Sequence, residues 1–480
     1  MMIIPKAFFI TAAVAILIFS MTGTSYQQVQ LLFDDSEEEA AVEEEEAAVE
    51  EEEEEAAVEE EEEAAVEEEE ACIEYETEEN TIAINCDASF LDVVQTINDP
   101  NILENVGEGE YILNANLEVA DGVTFAMTSN EDGLQYLKIA GINGIIVEGR
   151  IEISGIIITS WDTETDSPVS QTETGSVPRA FVNLRASEGG YVEDSEVAYL
   201  GYDASARRGI DLVESTEGPS HDFAIRNSKI HSNWMGFYSA GAYNITIDGN
   251  EFYGNIKYAI DPHTGTHNMT VSNNKVYDNK GIAVICSLDC YDVIFERNEV
   301  YNNAGSGLMF SRATHDSTIR NNLIYNQYES AYPISISESQ NNEIYGNDIS
   351  NSTGGISVHN PLESDLDEDG MSTDNRIYNN TFDDVQNAIR VLASSDNTFS
   401  NNKFDNVTEF HYIMSYDASM DIENQNFDMA NVRGFSGANT LSIRDSGTIT
   451  IDNIIDHDTD IEPYTQVLSS QSININSAGE

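Results

Sequence analysis

From about Asn101 to about Asp456 the chain alternates short apolar runs with Asn, Asp and Gly, and no stretch carries the 3.6-residue period of an amphipathic helix. One pattern recurs, an apolar stretch followed by Asn, a variable residue and a further apolar residue. It reads Ile247-Asp-Gly-Asn250-Glu-Phe252, Val271-Ser-Asn-Asn274-Lys-Val276, Ile294-Phe-Glu-Arg-Asn298-Glu-Val300, Thr318-Ile-Arg-Asn-Asn322-Leu-Ile324, Ile344-Tyr-Gly-Asn347-Asp-Ile349, Ile377-Tyr-Asn-Asn380-Thr-Phe382 and Phe399-Ser-Asn-Asn402-Lys-Phe404. The asparagines stand 24, 24, 24, 25, 33 and 22 residues apart. A period of this size fits three short strands and three turns per coil, with coils stacked at the strand spacing of ~4.8 Å over a column of Ile, Val, Leu and Phe. Asparagine suits the turns because it tolerates left-handed backbone, and equivalent asparagines in stacked coils can bond in a ladder. Leucine-rich and propeller repeats lack their signatures here. The expected fold is all-β, a right-handed parallel β-helix (solenoid) over residues 72–456. Phe223-Ala-Ile-Arg-Asn-Ser-Lys-Ile230 and Gly190-Tyr-Val-Glu-Asp-Ser-Glu-Val197 read as earlier copies.

Two stretches break the period, Trp161 to Gly175 and Pro361 to Met371, and long insertions on a solenoid usually rise beside its binding face. Residues 457–480 show no period and read as a C-terminal tail. At the other end, residues 1–23 hold Lys6 and an uncharged apolar run from Ala7 to Met21, a signal peptide or a short membrane anchor that marks an exported protein, secreted or held at the cell surface. Residues 24–71 contain glutamate blocks separated by Ala-Ala-Val, at intervals too irregular for a coiled coil. Such a tract repels itself and is expected to be a disordered, solvated spacer.

The spacer from Asp34 to Glu70 holds 24 of the 88 acids, so the rest of the chain still sets 64 acids against 20 bases. Nucleic acid is excluded as a partner, because phosphate contacts need a basic footprint. An anionic polymer is also repelled at long range, unless a local basic strip or bound cations line the cleft. The four cysteines form two local pairs, Cys72 with Cys86 and Cys286 with Cys290. In an exported chain these suggest two disulfides rather than a metal site.

Candidate chemistry is concentrated in the coil from Asn255 to His267. Residues two apart on a strand share a face, so Asp261 and His263 project together while Ile260 points inward, and Pro262 suggests a strand end. A carboxylate beside an imidazole is the arrangement of a positioned general base, although an Asp/His pair at a surface turn would have the same spacing. By the 24-residue register, Tyr238 lies one coil before Asp261, and Arg312 lies near the same strip two coils later.

Tyr258-Ala-Ile-Asp-Pro-His263 resembles the Tyr-Gly-X-Asp-Pro-His signature of the mannuronan (alginate) C5-epimerases. Ser195-Glu-Val-Ala-Tyr-Leu-Gly-Tyr202, Asn233-Trp-Met-Gly-Phe-Tyr-Ser239 and Ser306-Gly-Leu-Met-Phe-Ser-Arg312 are similar to that family's neighbouring coils, so the likeness spans roughly Phe181 to Arg320. The resemblance implies a right-handed β-helix acting on polymannuronate. His263 would remove the C5 proton and Asp261 would orient or electrostatically support it. Tyr258 would donate a proton or touch substrate, and Arg312 would neutralise the uronate carboxylate. Tyr238, Lys257 and His267 are the further substrate-contact candidates, although His267 reads more readily as a turn histidine facing water.

Two departures stand out. Periplasmic members carry an arginine in the next coil, where Cys286 stands here, and the acidic residue that often follows the signature histidine is Thr264. The run Asp365-Leu-Asp-Glu-Asp-Gly370 imitates half a calcium loop, but Arg376 occupies the position of its closing glutamate. No cofactor is required by this reading, and calcium is a secondary expectation at that run. Asn-X-Ser/Thr sites at Asn244, Asn268, Asn351, Asn379 and Asn406 matter only in a host that glycosylates. The expected protein is a monomeric polyuronate epimerase. A polysaccharide lyase on the same fold, or a non-catalytic glycan-binding surface protein, is the rival.

Overall fold

The structure is a computed structural model that describes residues 71–327, 332–361, 372–415, 420–423, 439–454 and 465–477. The apolar leader, the acidic spacer and the run Asp365–Gly370 lie outside the described residues. No helix among the described residues is long and apolar enough to cross a membrane.

Strands dominate, and nearly all pair in parallel with the strand one coil earlier and one coil later. Each regular coil contributes three. In the coil that carries the Asp/His motif they are Tyr258–His263, His267–Ser272 and Lys275–Tyr277, aligned respectively with Ile282–Ser287, Tyr291–Glu296 and Glu299–Tyr301 in the next. The pairing offset is the 24-residue period read from the asparagines. Inside lies one continuous apolar column, including Phe237, Phe252, Ile260, Val271, Val284, Phe295 and Phe310.

Hydrogen bonding explains why asparagine marks the period. Asn298 is nearly inaccessible; its Nδ2 donates to Val271 O and to Asn322 Oδ1, and its Oδ1 accepts from the backbone and side chain of Asn274. The same links join Asn250 through Asn402, so each buried turn satisfies its neighbour's amide. A second ladder, Asn233, Asn255, Asn279 and Asn303, runs along another edge. Asn298→Ala is expected to cost about 2–3 kcal/mol, because it orphans buried groups on both sides; urea unfolding measures it. Outside, Tyr253, Tyr277, Tyr301 and Tyr325 stack with ring centroids 5.0–5.2 Å apart. All five Asn-X-Ser/Thr asparagines have positive φ, Asn244, Asn268 and Asn351 within strands.

Three differences from the sequence reading have physical reasons. Residues Phe90–Ile97 form a helix, started by a reciprocal cap between Ser89 and Asp92, that buries Phe90 and Val93 against the first coils. It is too short for its period to stand out. Thr465–Ser477 pairs in parallel with Asn439–Ile454, so the supposed tail contains a further strand of the solenoid, lost to periodicity because the asparagine signature stops at Asn402. Cys72 and Cys86 form a disulfide, whereas Cys286 and Cys290 are free thiols buried in the core. Burial raises the Cys286 thiol far above its ordinary range.

Candidate active site

Ala259 and Ile260 both enter the core, so alternation is interrupted and Tyr258, Asp261 and His263 all emerge on the outer face of the Tyr258–His263 strand. Parallel register then fixes their neighbours. Tyr238 lies beside Asp261, Ala240 beside His263 on one side, and Ser287 beside His263 on the other. Arg312 follows the strand Leu308–Ser311 at a turn with φ 47°, two coils on.

From that turn the Arg312 side chain reaches back. Its Nε and Nη2 donate to Ser287 Oγ at 3.0 and 2.8 Å, and Nη2 lies 3.1 Å from His263 Nε2. A guanidinium can only donate, so Nε2 must present its lone pair. The proton then sits on Nδ1, which donates to Thr264 Oγ1 at 2.6 Å. His263 is therefore a neutral imidazole with a defined tautomer. Burial, with Arg312, Arg208 and Lys257 nearby, pushes its pKa down to about 4.

Asp261 differs from its expected role. It makes no hydrogen bond to His263, since side chains two apart on a strand stand roughly 6.5–7 Å from each other. The Tyr238 ring instead packs near the imidazole, with centroids 5.8 Å apart. Asp261 is 2% exposed and its Oδ1 is buried without a hydrogen-bond partner. Burial raises its pKa to about 8 against the opposing pull of Arg208, Lys257 and Arg312, with Asp211 adding to the rise. The group is then largely a neutral acid at pH 7, able to donate a hydrogen bond as an ionised partner of His263 could not.

Sequence reasoning missed Arg208, Asp211 and Ser287. Arg208 Cζ lies 4.0 Å from the centroid of the Tyr238 ring, and Nη1 lies 3.4 Å from the fully buried Asp211. Asp211 also accepts from the Arg208 and Gly209 amides, fixing this turn. Ser287 was detectable, being one period after His263.

At the other end of the strand, Tyr258 is half-buried against Trp234, Met235 and Tyr238. Lys257 Nζ stands 5.6 Å from the Tyr258 ring centroid and 5.8 Å from that of Trp234. The insertion after Trp161 reaches this corner. Gly175 packs so tightly on Trp234 that a Cβ would come within 2.8 Å of the ring, and its φ of 67° suits glycine. Arg179 anchors the insertion, donating from the interior to the carbonyls of Val169, Leu200, Gly201 and Ser232.

His267 does not join the site. The turn at Thr264–Thr266 carries it to the adjoining sheet, where it stacks between Tyr243 and Tyr291 and bonds Gly265 O. Cys286 faces the core, so nothing replaces the missing arginine from that position. A cavity of about 540 Å³ lined by Glu173, Ile256, Asp278, Asn279, Lys280, Asn302 and Ala304 adjoins the turn before these strands and includes none of Tyr258, Asp261, His263 or Arg312.

Arg376, the residue that disfavours the calcium loop, bonds Glu343 at 2.7 Å.

The model of the right-handed β-helix region matches residues 154–290, 208–360 and 284–427. A mannuronan C5-epimerase of Pseudomonas aeruginosa is 26% identical over 171 residues, 34% of this chain and 31% of that protein. The mannuronan C5-epimerase AlgG of Azotobacter vinelandii is 26% identical over 165 residues, 32% of this chain and 30% of its own length. The matched stretch thus spans about a third of these relatives. Among solved structures, the periplasmic alginate epimerase AlgG superposes with a TM-score of 0.58 at 20% identity, covering 83% of this chain and 84% of that one, a likeness of fold.

Proposed function

The chain belongs to the right-handed β-helix family, and we propose that it is an exported, monomeric mannuronan C5-epimerase, converting β-D-mannuronate units to α-L-guluronate within the polymer. Relatives named mannuronan C5-epimerase support the reading. The observation that carries it is the His263 Nε2 lone pair, aimed at Arg312 on the same face as a neutral Asp261.

In this reading the substrate carboxylate draws Arg312 onto itself. That frees Nε2 and cancels the positive charge that weakens the imidazole, so the base strengthens as substrate binds. His263 takes the C5 proton, and the C–H electron pair moves into the carboxylate. The resulting dianion is held by Arg312, by the Asp261 O–H and by the charge of Lys257. The Tyr258 hydroxyl, at the opposite end of the strand from His263, returns a proton to C5 from the other side. Solvent then restores the phenol and the imidazole. No electron leaves the substrate, so no redox cofactor is required, and calcium at Asp365–Gly370 is no part of the steps.

Polymannuronate incubated with the protein in deuterated water tests the proposal. Guluronate signals with deuterium at C5 are expected by NMR; ultraviolet absorbance from an unsaturated uronate, with shorter chains, would assign a lyase instead. The same groups set a pH profile. kcat/KM is expected to rise as His263 loses its proton through about 4 and to fall as Asp261 loses its proton through about 8. In Asp261→Asn, which stays neutral, the alkaline limb should disappear; an unchanged limb would show that another group sets it and that Asp261 does not act as the neutral donor.

A further inference from the structure

We infer that Arg390, with His359 and Tyr332, forms a second binding station for a uronate carboxylate on the same face of the solenoid, gripping the polymer some distance along from the reacting sugar. The inference rests on the epimerase reading for the identity of the polymer and on separate residues for its geometry.

The outer face repeats in columns. His263 is followed in register by Ser287, Ser311, Ser337 and then His359. In the column that continues from Asp261, Ile285 is followed by Met309, Ser335, Ser357 and Arg390. Pro333 lies against Leu308 and Tyr332 against Gly307 through backbone bonds, which sets Tyr332 at the strand entrance held by Tyr258 three coils earlier. A tyrosine, a histidine and an arginine therefore meet again on the face, three, four and five coils on from the Tyr258–His263 strand, so that Arg390 lies roughly 24 Å along at the strand spacing.

Their contacts leave the cation available. Arg390 Nη1 donates to Tyr332 Oη at 3.3 Å, and His359 Nδ1 lies 3.2 Å from Ser357 Oγ. Arg390 has no ion pair with a carboxylate among the described residues, while Arg150, Arg226, Arg320 and Arg376 on an adjoining sheet, and Arg185 three coils before His263 in its own column, each have one. Burial and Arg390 keep His359 neutral, with its pKa lowered to about 4, so the imidazole offers hydrogen bonds without competing for an anion. Between the two stations the columns carry mainly buried serines, with Met309 partly exposed among them. Small hydroxyls form a low polar floor, in contrast to the stacked Tyr and His rings on the adjoining sheets. In a chain so acidic, an Arg390 with no carboxylate partner among the described residues, in line with Arg312 and Lys257, supplies the local basic strip an anionic polymer needs.

The test compares polymannuronate with trimannuronate, which is too short to span both stations, using the full protein and Arg390→Gln. The variant is expected to lower the ratio of kcat/KM for polymer over trimer by about tenfold, the worth of one charge-assisted hydrogen bond, mainly through KM. Arg226→Gln, an ion-paired arginine on another sheet, serves as the control for general charge loss. An unchanged ratio, or the same fall in the control, overturns the inference while the epimerase reading stands. Should the unmodified protein turn over neither substrate, the epimerase reading fails, and retention on immobilised polymannuronate decides the station separately. Arg390→Gln must then elute at lower salt than both the unmodified protein and the control; elution at the same salt overturns it.

Discussion

His263→Gln is expected to lower kcat on polymannuronate by about 10²–10⁴-fold, the usual contribution of a positioned general base. Glutamine keeps polar atoms near Thr264 and Arg312 but cannot accept a proton at neutral pH. The imidazole lies on the outer face, away from the apolar column, so the melting temperature should stay close to that of the unmodified chain. The readout is deuterium incorporation at C5. A variant retaining more than a tenth of the exchange would show that another group takes the proton. A glycan-binding protein without catalysis would show no difference at all, since it has no exchange to lose.

Arg312→Met should remove about 10²–10³-fold from kcat/KM, the loss typical of deleting one donor that faces developing negative charge. The backbone at Arg312 already has φ 47°, so methionine meets the same conformational demand as arginine and the turn should persist. A second effect separates this role from mere structure. Arg312 is one of the cations that depress His263, so its removal should move the acid limb of the pH profile upward from about 4 towards the ordinary histidine range. A loss of rate with an unmoved acid limb would place the arginine outside the electrostatic field of the base. Lysine should not restore activity, because it lacks the fork that spans Ser287 and His263.

Much of this architecture was legible because stacking imposes one register on many residues. Asn250 to Asn402 each answer the same demand, a buried turn that must satisfy the amide of its neighbour, and so their spacing gave the coil length directly. From it followed the placement of Tyr238 beside Asp261 and of Arg312 near His263. The limits are equally physical. Asp211 pairs with Tyr238 across 27 residues, and Arg208 meets Met235 across the same step, so an offset of 24 points to the wrong partner. His267 falls outside the site because three turn residues rotate the chain onto another sheet, which distance along the sequence does not register. The neutral state of Asp261 was hidden for another reason: desolvation depends on what covers a carboxyl, and that cover comes from residues far away in the chain.

The bond between Arg312 and His263 also bears on which polymers the protein can process. A neutral glycan of similar shape, or a uronan whose acids are esterified, offers no full negative charge to pull the guanidinium aside. Such a chain could lie along the serine floor and still find the imidazole engaged and weakened. Selectivity between polymers would then be exercised after docking, by the ionisation state of the sugar itself.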